Sequence, residues 1–215
     1  MKQGRLIVLD GIDGSGKSTQ FELLRARLER EGEPFRYVRF PRYGERSSLF
    51  VREYLAGELG TADEVSPYVA SALYAHDRAA AFKEGLSDYL AEGGLLLCDR
   101  YTTANAILQG AKLAGEERFR YIDWLFDYEY RRLGLPEPDL VLLLDLPAET
   151  AFRLIEGRGE RRDIHEQQDF LTRAEECGLA AAARYGWRVV SCMAAGALRS
   201  REEIAAEIYE AVRAV

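Results

Sequence analysis

The sequence predicts an α/β fold in which helices cover both faces of a five-stranded parallel sheet. Short apolar segments that end in carboxylates or turn residues alternate with longer stretches of helical periodicity, the order typical of parallel sheets. A glycine-rich loop lies between the first apolar segment and the first amphipathic stretch. The length of 215 residues and the hydrophobic content of 47% suit one compact domain over residues 1–215.

The individual elements follow from these local patterns. Apolar runs such as RLIVLD, LLLCD and LVLLLD predict strands over residues 5–10, 35–40, 95–99, 140–145 and 188–192. Helical periodicity predicts helices over residues 17–31, 47–56, 65–91, 103–114, 118–133, 148–156, 166–185 and 201–213. The segment GRGERRD at residues 157–163 is polar, contains glycine and is crowded with arginine, so it predicts a loop.

The composition excludes several classes of function. The chain has 36 acidic residues against 29 lysines and arginines, so a broad basic surface for nucleic acid or anionic lipid is not expected. Its three cysteines form no CxxC pair and it has two histidines, which disfavours both a disulfide framework and a zinc site. The absence of a signal-type segment and of any long apolar stretch predicts a cytoplasmic protein without a membrane span.

The strongest functional signal is GIDGSGKS at residues 11–18, which fits the P-loop pattern G-x-x-x-x-G-K-[ST]. Its glycines let consecutive backbone N–H groups point at a phosphate, and the helix that follows adds the positive end of its dipole. Lys17 should reach the β- and γ-phosphates, and Ser18 should hold Mg²⁺. The segment predicts a P-loop NTPase fold. The ATP site it implies comprises Gly11, Ile12, Asp13, Gly14, Ser15, Gly16, Lys17, Ser18 and Thr19.

Other patterns narrow the class of P-loop protein. The chain has no N-K-x-D motif for guanine, since Asn105 is its only asparagine, and no L-S-G-G-Q motif of transporter ATPases. Regulatory GTPases and transporter ATPases are therefore disfavoured. Asp10, Asp99 and Asp145 each close a predicted strand. One carboxylate in such a position usually helps to hold the water shell of Mg²⁺, and we favour Asp99 for this role.

Three arginines indicate a second anionic substrate. Arg42 lies in FPRYG after the second strand, Arg100 in DRY after the third, and Arg78 in LYAHDR within a long helix. Because the C-terminal ends of strands in a doubly wound sheet share one crevice, Arg42 and Arg100 should meet the P-loop there. Tyr74 precedes Arg78 by one helical turn, and the pair suits a base that stacks and hydrogen-bonds at its edge. Taken singly, each arginine is more often a surface cation, and Tyr74 a core aromatic.

With VLDGIDGSGKST, DRYTTANA, GLPEPDLVLLLDLP and RGERRDIHE, these motifs make the chain resemble thymidylate kinases from its first strand to its last helix. The resemblance implies that the γ-phosphoryl group of ATP passes to dTMP with the help of Mg²⁺, and that the enzyme is a homodimer. It places Arg42 and Arg100 at the acceptor phosphate, Tyr74 on thymine and Arg78 at its O4. Asp13 would lie near the sugar 3′-hydroxyl. The implied dTMP site comprises Asp13, Phe40, Pro41, Arg42, Tyr74, Arg78, Arg100, Asn105, Leu108 and Glu166.

The sequence departs from this family pattern at two positions that bear on activity. Leu108 stands where many members have a tyrosine or phenylalanine that crowds out a ribose 2′-hydroxyl. Gly14 stands where some members carry a P-loop arginine, so the resemblance moves that role to an arginine-rich lid over about residues 157–165, as in bacterial members. The catalytic residues expected on this basis are Lys17, Asp13, Arg100, Arg158, Arg161 and Arg162.

Alternatives remain at the level of sequence. A kinase for another nucleoside monophosphate or for a deoxynucleoside shares the P-loop, and so does a non-catalytic nucleotide-binding module. Arg42 and Arg100 weigh against a deoxynucleoside, which brings no acceptor phosphate, and Lys17 weighs against a non-catalytic module. No protein base is required for a monophosphate acceptor, because its phosphate is largely ionised at neutral pH. Glu166 and His165 follow the lid, where an acid at a helix start is equally expected in solvent.

Overall fold

The computed structural model describes residues 4–157 and 168–215 of the chain. Within these ranges the predicted five-stranded parallel sheet is confirmed, with the strand order β2–β3–β1–β4–β5. The strands are β1 Arg5–Gly11, β2 Phe35–Arg39, β3 Leu95–Asp99, β4 Leu140–Asp145 and β5 Arg188–Ser191. Each lies within a residue of its predicted bounds. Short apolar runs between turn residues mark β1, β3 and β4, which are covered on both faces, whereas the edge strand β2 is largely exposed.

The helices connect the strands along the chain and cover the two faces of the sheet. They are α1 Lys17–Arg30, α2 Leu49–Leu55, α3 Pro67–Ala81, α4 Ser87–Ala91, α5 Thr102–Leu108, α6 Gly115–Phe126, α7 Ala148–Glu156, α8 Gln168–Tyr185 and α9 Arg201–Arg213. Among the described residues, none of these helices has the length and hydropathy needed to cross a bilayer.

Three predicted helices differ from the structure. The helix predicted over residues 65–91 is divided into α3 and α4 by a π-helical turn, where Gly85 adopts φ 123° and breaks the regular backbone. Residues 103–114 form only α5 and a short 3₁₀ turn at Gly110–Lys112. The helix predicted over residues 118–133 begins earlier and widens into a π-helical turn at Asp127–Arg132. A small hairpin, β6 Met193–Ala194 and β7 Ala197–Leu198, was not predicted.

The core lies on both faces of the sheet. Alternate residues of β1 point to opposite sides, so Leu6 and Val8 pack with Phe82 of the π-helical turn, while Ile7 and Leu9 join the larger cluster with α1, α5 and α8. Every residue of β3 is buried. This double burial explains why the central strands are continuous apolar runs rather than alternating ones.

The sheet brings three loops together at the C-terminal ends of its strands. The register pairs Asp99 at the end of β3 with Arg39 at the end of β2 and with Leu9 of β1, so β2 and β3 end at the same level and β1 continues two residues farther. The backbone N–H of Phe40 donates to the Asp99 carbonyl at 3.0 Å, and that of Arg100 donates to the Leu9 carbonyl at 3.1 Å. The loops after β1, β2 and β3 therefore meet at one edge of the sheet, as the sequence predicted.

Candidate active site

The P-loop occupies the turn between β1 and α1, and its backbone requires glycine. Gly11, Gly14 and Gly16 have φ values of 149°, 81° and 87°. A Cβ atom at Gly14 would lie 2.6 Å from the carbonyl oxygen of Ala151 in α7. Any side chain at this position, arginine included, would therefore need both a strained backbone and a displaced helix.

Lys17 at the start of α1 lies folded against the loop. Its Nζ donates to the carbonyl oxygens of Gly11 at 2.9 Å and Ile12 at 2.7 Å, and it lies 4.0 Å from Asp13. Burial, followed by the positive charge of Arg100, lowers the pKa of Lys17 to about 8. The ammonium is thus held by neutral carbonyl oxygens. The charged oxygens of a phosphate group are stronger acceptors and can replace them.

A cavity of about 640 Å³ opens in front of the P-loop, and we call it the donor cavity. Its walls come from the P-loop, the start of α1 and the ends of β2 and β3. The lining residues are Asp13, Gly14, Gly16, Lys17, Ser18, Thr19, Arg39, Phe40, Tyr43, Asp99 and Arg100. The predicted metal ligands Ser18 and Asp99 thus face the same space as Lys17.

A smaller cavity of about 70 Å³ adjoins it between β2, α3 and α5, and we call it the acceptor cavity. It brings together eight residues of the predicted dTMP site: Asp13, Phe40, Pro41, Tyr74, Arg78, Arg100, Asn105 and Leu108. Tyr43, Leu55, Tyr101, Ala104 and Gln109 complete the lining. Asp13, Phe40, Tyr43 and Arg100 line both cavities, so the two spaces share a wall.

Arg100 is the charged centre of this shared wall. It follows β3 with a positive φ of 67°, and its Nη2 donates to Asp13 Oδ1. Its Nη1 is buried and has no hydrogen-bond partner among the described residues. Burial acts to lower the pKa of Arg100, but the carboxylates of Asp13 and Asp10 raise it above its ordinary value, so the guanidinium stays charged. An open donor on a fixed cation is what an anionic ligand needs.

Two aspartates hold the loops in place. Asp10 is completely buried and accepts hydrogen bonds from the Gly11 N–H at 2.9 Å and from Thr103 Oγ1 at 2.7 Å. Burial raises its pKa, while Arg100 acts in the opposite direction. Asp99 accepts from Arg39 Nε at 2.6 Å. Asp10 therefore ties the P-loop to α5, and Asp99 links the ends of β2 and β3.

Arg78 and Tyr74 form the far side of the acceptor cavity. Arg78 is 1% exposed and donates to Glu129 through Nε at 2.7 Å and Nη2 at 2.5 Å, while Nη1 donates to the Tyr101 carbonyl at 3.3 Å. Tyr74 packs edge-on against Tyr54, with 6.2 Å between ring centroids and an interplanar angle of 87°. The contact fixes the Tyr74 ring, so the cavity has a rigid aromatic wall beside an oriented guanidinium.

Asn105 adds an unpaired polar group to the same cavity. It is 3% exposed, and its Nδ2 has no hydrogen-bond partner among the described residues. A buried amide without a partner is costly, so a site that leaves one open is suited to a ligand that supplies an acceptor.

Arg42 lies elsewhere in this structure. Its Nε donates to Asp77 at 3.1 Å, Nη1 to Glu84 at 2.6 Å and Nη2 to Ser47 at 3.0 Å. It is not among the residues that line the two cavities, whereas its neighbour Tyr43 lines both. To contact an acceptor phosphate, Arg42 would therefore have to break at least its ion pair with Glu84.

The sequence did not indicate several residues that the fold places in or behind the site. The FPRYG motif indicates the loop that carries Tyr43, but the pattern does not distinguish Tyr43 as a lining residue. Arg39, Gln109 and Glu129 had no local signal, since each resembles an ordinary strand-end or helical polar residue. The predicted lid residues Arg158, Arg161 and Arg162, together with His165 and Glu166, lie outside the described residues.

Comparison with known proteins gives the family. The thymidylate kinase family model matches residues 9–207, nearly the whole chain. The chain belongs to the thymidylate kinase family. It is 32% identical over 209 residues to a probable thymidylate kinase from Pyrobaculum aerophilum, covering 97% of this chain and 96% of that protein. It is 36% identical over 187 residues to the thymidylate kinase from Pelotomaculum thermopropionicum, and this match covers 85% of this chain and 82% of that protein.

A further relative and a solved structure agree. The thymidylate kinase of Mycobacterium tuberculosis is 32% identical over 188 residues, covering 85% of this chain and 87% of that enzyme. The structure of thymidylate kinase from Candida albicans superposes with a TM-score of 0.71 at 22% identity, and covers 99% of this chain and 92% of that chain. The latter match confirms the P-loop NTPase fold predicted from the glycine-rich loop.

Proposed function

We propose that this protein transfers the γ-phosphoryl group of ATP to dTMP, giving dTDP and ADP. Membership of the thymidylate kinase family supports this reaction over the alternatives left open by the sequence. The observation that carries it is the shared wall of Asp13 and Arg100 between two cavities, one in front of the P-loop and one lined by Tyr74 and Arg78. Because the two cavities share these lining residues, a nucleotide in each would place its phosphates next to those of the other, as an in-line transfer requires.

On the donor side, the P-loop from Gly11 to Thr19 holds the ATP phosphates. Backbone N–H groups bind the β-phosphate region, and Lys17 exchanges its contacts with Gly11 and Ile12 for phosphate oxygens. The nucleophile is an oxygen of the dTMP phosphate, which needs no protein base because its second pKa is about 6. The protein therefore acts mainly by positioning two anions and stabilising the charge that develops between them.

Mg²⁺ fits this site as the cofactor. Ser18 and Asp99 line the donor cavity, and one carboxylate with one hydroxyl is the sparse ligand set that Mg²⁺ uses when phosphates and water complete its shell. The described residues contain no cluster of three or more histidine, cysteine or carboxylate ligands. When bound, the ion would neutralise charge on the donor phosphates. Asp99 must then release Arg39, its partner in this structure.

On the acceptor side, Arg100 binds the dTMP phosphate and Asp13 lies near the sugar 3′-hydroxyl. Tyr74 stacks on thymine, and the guanidinium of Arg78, held by Glu129, donates to the base edge. The unpaired Nδ2 of Asn105 donates to the base as well. The cavity wall is completed by Phe40, Pro41 and Leu108. Arg42 would join the acceptor phosphate after leaving Glu84. Glu166, which lies outside the described residues, remains part of the proposed dTMP site.

The transferred phosphoryl group needs further cations, and the lid provides them. Gly14 leaves no room for an arginine within the P-loop. The sequence assigns this role to Arg158, Arg161 and Arg162, which lie outside the described residues. Contacts from these arginines to the phosphoryl oxygens would strengthen as charge develops.

The proposal includes a homodimer and a cytoplasmic location, where ATP is available as donor. An exposed apolar surface on α2 and α3 supports the dimer: Phe50, Tyr68 and Val69 are 56%, 41% and 54% exposed. Tyr68 and Val69 lie on α3, the helix that carries Tyr74 and Arg78, so a second copy that covers them would lie beside the acceptor cavity. Val69→Glu should yield a monomer in size-exclusion chromatography with light scattering, and an unchanged mass would contradict this interface.

A coupled assay of ADP release tests the reaction. The panel comprises dTMP, dUMP, ribothymidine monophosphate, dAMP and thymidine, each with Mg·ATP. We expect dTMP to have the highest kcat/KM, and thymidine to be inactive because it brings no anion to Arg100. A thymidine rate above that of dTMP would reject the acceptor-phosphate arrangement.

A further inference from the structure

Arg39 at the end of β2 is a cation of the donor cavity that has no assigned role. Its side chain is 49% exposed, and its Nε donates to Asp99 Oδ2 at 2.6 Å. The two terminal nitrogens of its guanidinium have no hydrogen-bond or ion-pair partner among the described residues. Arg39 lines the donor cavity with Lys17 and Ser18, so its side chain borders the space in front of the P-loop. It also lines a second cavity, with Phe21, Glu22, Arg25 and Tyr37.

Two other cations, Lys17 and Arg100, line this cavity. Lys17 donates to two backbone carbonyls, and Arg100 bonds to Asp13 on the wall shared with the acceptor cavity. Arg39 reaches the cavity from β2, which is separated from β1 and its P-loop by β3. It thus supplies positive charge from a direction that neither the P-loop nor its lysine covers.

Arg39 is also well suited to release its present partner. The contact with Asp99 uses Nε only, rather than both ends of the guanidinium fork, and half of the side chain is in solvent. Asp99 is only 4% exposed, but the guanidinium is open to solvent, so a phosphate in the cavity can become its partner without moving the arginine out of the core. A guanidinium binds phosphate through two parallel N–H groups, which the open terminal nitrogens provide.

We propose that Arg39 contacts the γ-phosphate of the bound donor and supplies, from β2, a cation that Gly14 prevents the P-loop from supplying. Binding of the donor would draw the guanidinium away from Asp99, and that carboxylate would then be available to help hold Mg²⁺. Since charge on the equatorial oxygens changes during transfer, the contact also acts in the reaction itself. This inference rests on the proposed function for its kinetic part only, because binding of the γ-phosphate does not require an acceptor.

Calorimetric binding of ADP and of the β,γ-imido analogue of ATP, both with Mg²⁺ and without acceptor, tests the contact. Arg39→Ala should weaken binding of the analogue about tenfold or more, as for loss of a charge-assisted hydrogen bond, while the affinity for ADP changes less than about twofold. Arg39→Gln keeps an amide donor for Asp99 but not the charge, and should behave in the same way. Equal affinity changes for both nucleotides, or none, in the folded Arg39→Gln protein would overturn the proposal.

The matched control is Arg36→Ala, which removes the same charge from the same strand. Arg36 lies over the ring of Tyr89, 4.4 Å from its centroid, and does not line the donor cavity among the described residues. We expect wild-type affinity for both nucleotides in this variant. If Arg36→Ala loses as much affinity for the analogue as Arg39→Ala, the effect is one of long-range charge and the specific contact is rejected.

Turnover of dTMP provides the second readout. Arg39→Ala should lower kcat by about tenfold or more, and Arg39→Lys should recover part of the loss because it keeps the charge but not the planar fork. A kcat for Arg39→Ala within twofold of wild type would overturn the catalytic part. If the wild-type enzyme fails to phosphorylate dTMP, the proposed function fails, while the difference between ADP and the analogue still decides the role of Arg39.

Discussion

Arg78 and Glu129 form a bidentate ion pair in which both side chains are almost completely buried, at 1% and 0% exposure. The pair joins α3 to the π-helical turn after α6, and Thr102 Oγ1 donates to the same carboxylate at 2.8 Å. Glu129 therefore orients the guanidinium that faces the acceptor cavity. Its role is one of positioning, since it does not line the cavity in the described part of the chain.

Glu129→Gln should weaken both the fold and the binding of dTMP. The substitution leaves the Arg78 charge buried without a counter-ion, and loss of one partner of such a pair costs about 3–5 kcal/mol of unfolding free energy. Urea denaturation measures this cost, and calorimetry measures dTMP affinity. Asp127→Asn is the control, because the Asp127–Arg132 pair is exposed and its loss should cost about 1 kcal/mol or less. Equal stability of the two variants would contradict the structural role of Glu129.

The pKa of Lys17 predicts a pH dependence of nucleotide binding. Because this pKa is lowered to about 8 in the free enzyme, the ammonium is charged below pH 8 and becomes neutral above it. The affinity for ADP should therefore fall as the pH rises through about 8. At this pH, binding should take up about half a proton from solution, because the phosphates restore the charge.

Calorimetry in buffers of different ionisation enthalpy measures this proton uptake. Lys17→Arg keeps its charge throughout this range and should abolish the uptake, provided that it binds nucleotide. Lys112 also has a pKa lowered to about 8 by burial, but it donates to Tyr54 and Val65 away from the donor cavity. Lys112→Met should therefore retain the uptake, and its loss there would reassign the proton to Lys112.

Leu108→Tyr should increase discrimination against ribonucleotides. Leu108 is 8% exposed on the wall of the acceptor cavity, so we expect a larger ring there to project into the space proposed for the acceptor sugar. We expect the ratio of kcat/KM for dTMP to that for ribothymidine monophosphate to rise about tenfold. Leu108→Met keeps the volume and should leave the ratio unchanged. The same ratio in all three proteins would show that Leu108 does not meet the sugar.

Single alanine substitutions test the lid arginines. At least one of Arg158→Ala, Arg161→Ala and Arg162→Ala should lower kcat about 10²-fold with little change in KM for ATP, because the lost contact forms mainly in the transition state. Arg153→Ala in α7 is the control, since Arg153 is 65% exposed and pairs only with Glu149 and Thr150 among the described residues. Three enzymes with wild-type kcat would identify the segment as a solvated basic loop.

The predictions from sequence succeeded where the pattern is local. The central strands β1, β3 and β4 were located because burial on both faces requires continuous apolar runs. The P-loop was located because its glycines are needed for positive φ values at Gly11, Gly14 and Gly16. Helix bounds were less accurate where one residue breaks a regular pattern, as Gly85 does between α3 and α4. The periodicity of residues 65–91 predicts one helix, since a single glycine changes the pattern very little.

The sequence by itself determined the fold class, the P-loop and its meeting with Arg100, because strand ends in a parallel sheet have one possible meeting place. The resemblance to thymidylate kinases added the other predicted residues of the acceptor cavity, but not all of its lining. Only the tertiary structure decided which charges pair. Arg78 meets Glu129 across 51 positions and Arg39 meets Asp99 across 60, while Arg42 turns to Asp77. Such partners depend on how helices pack over the sheet, and an ion pair leaves no periodicity in the sequence from which its second member could be inferred.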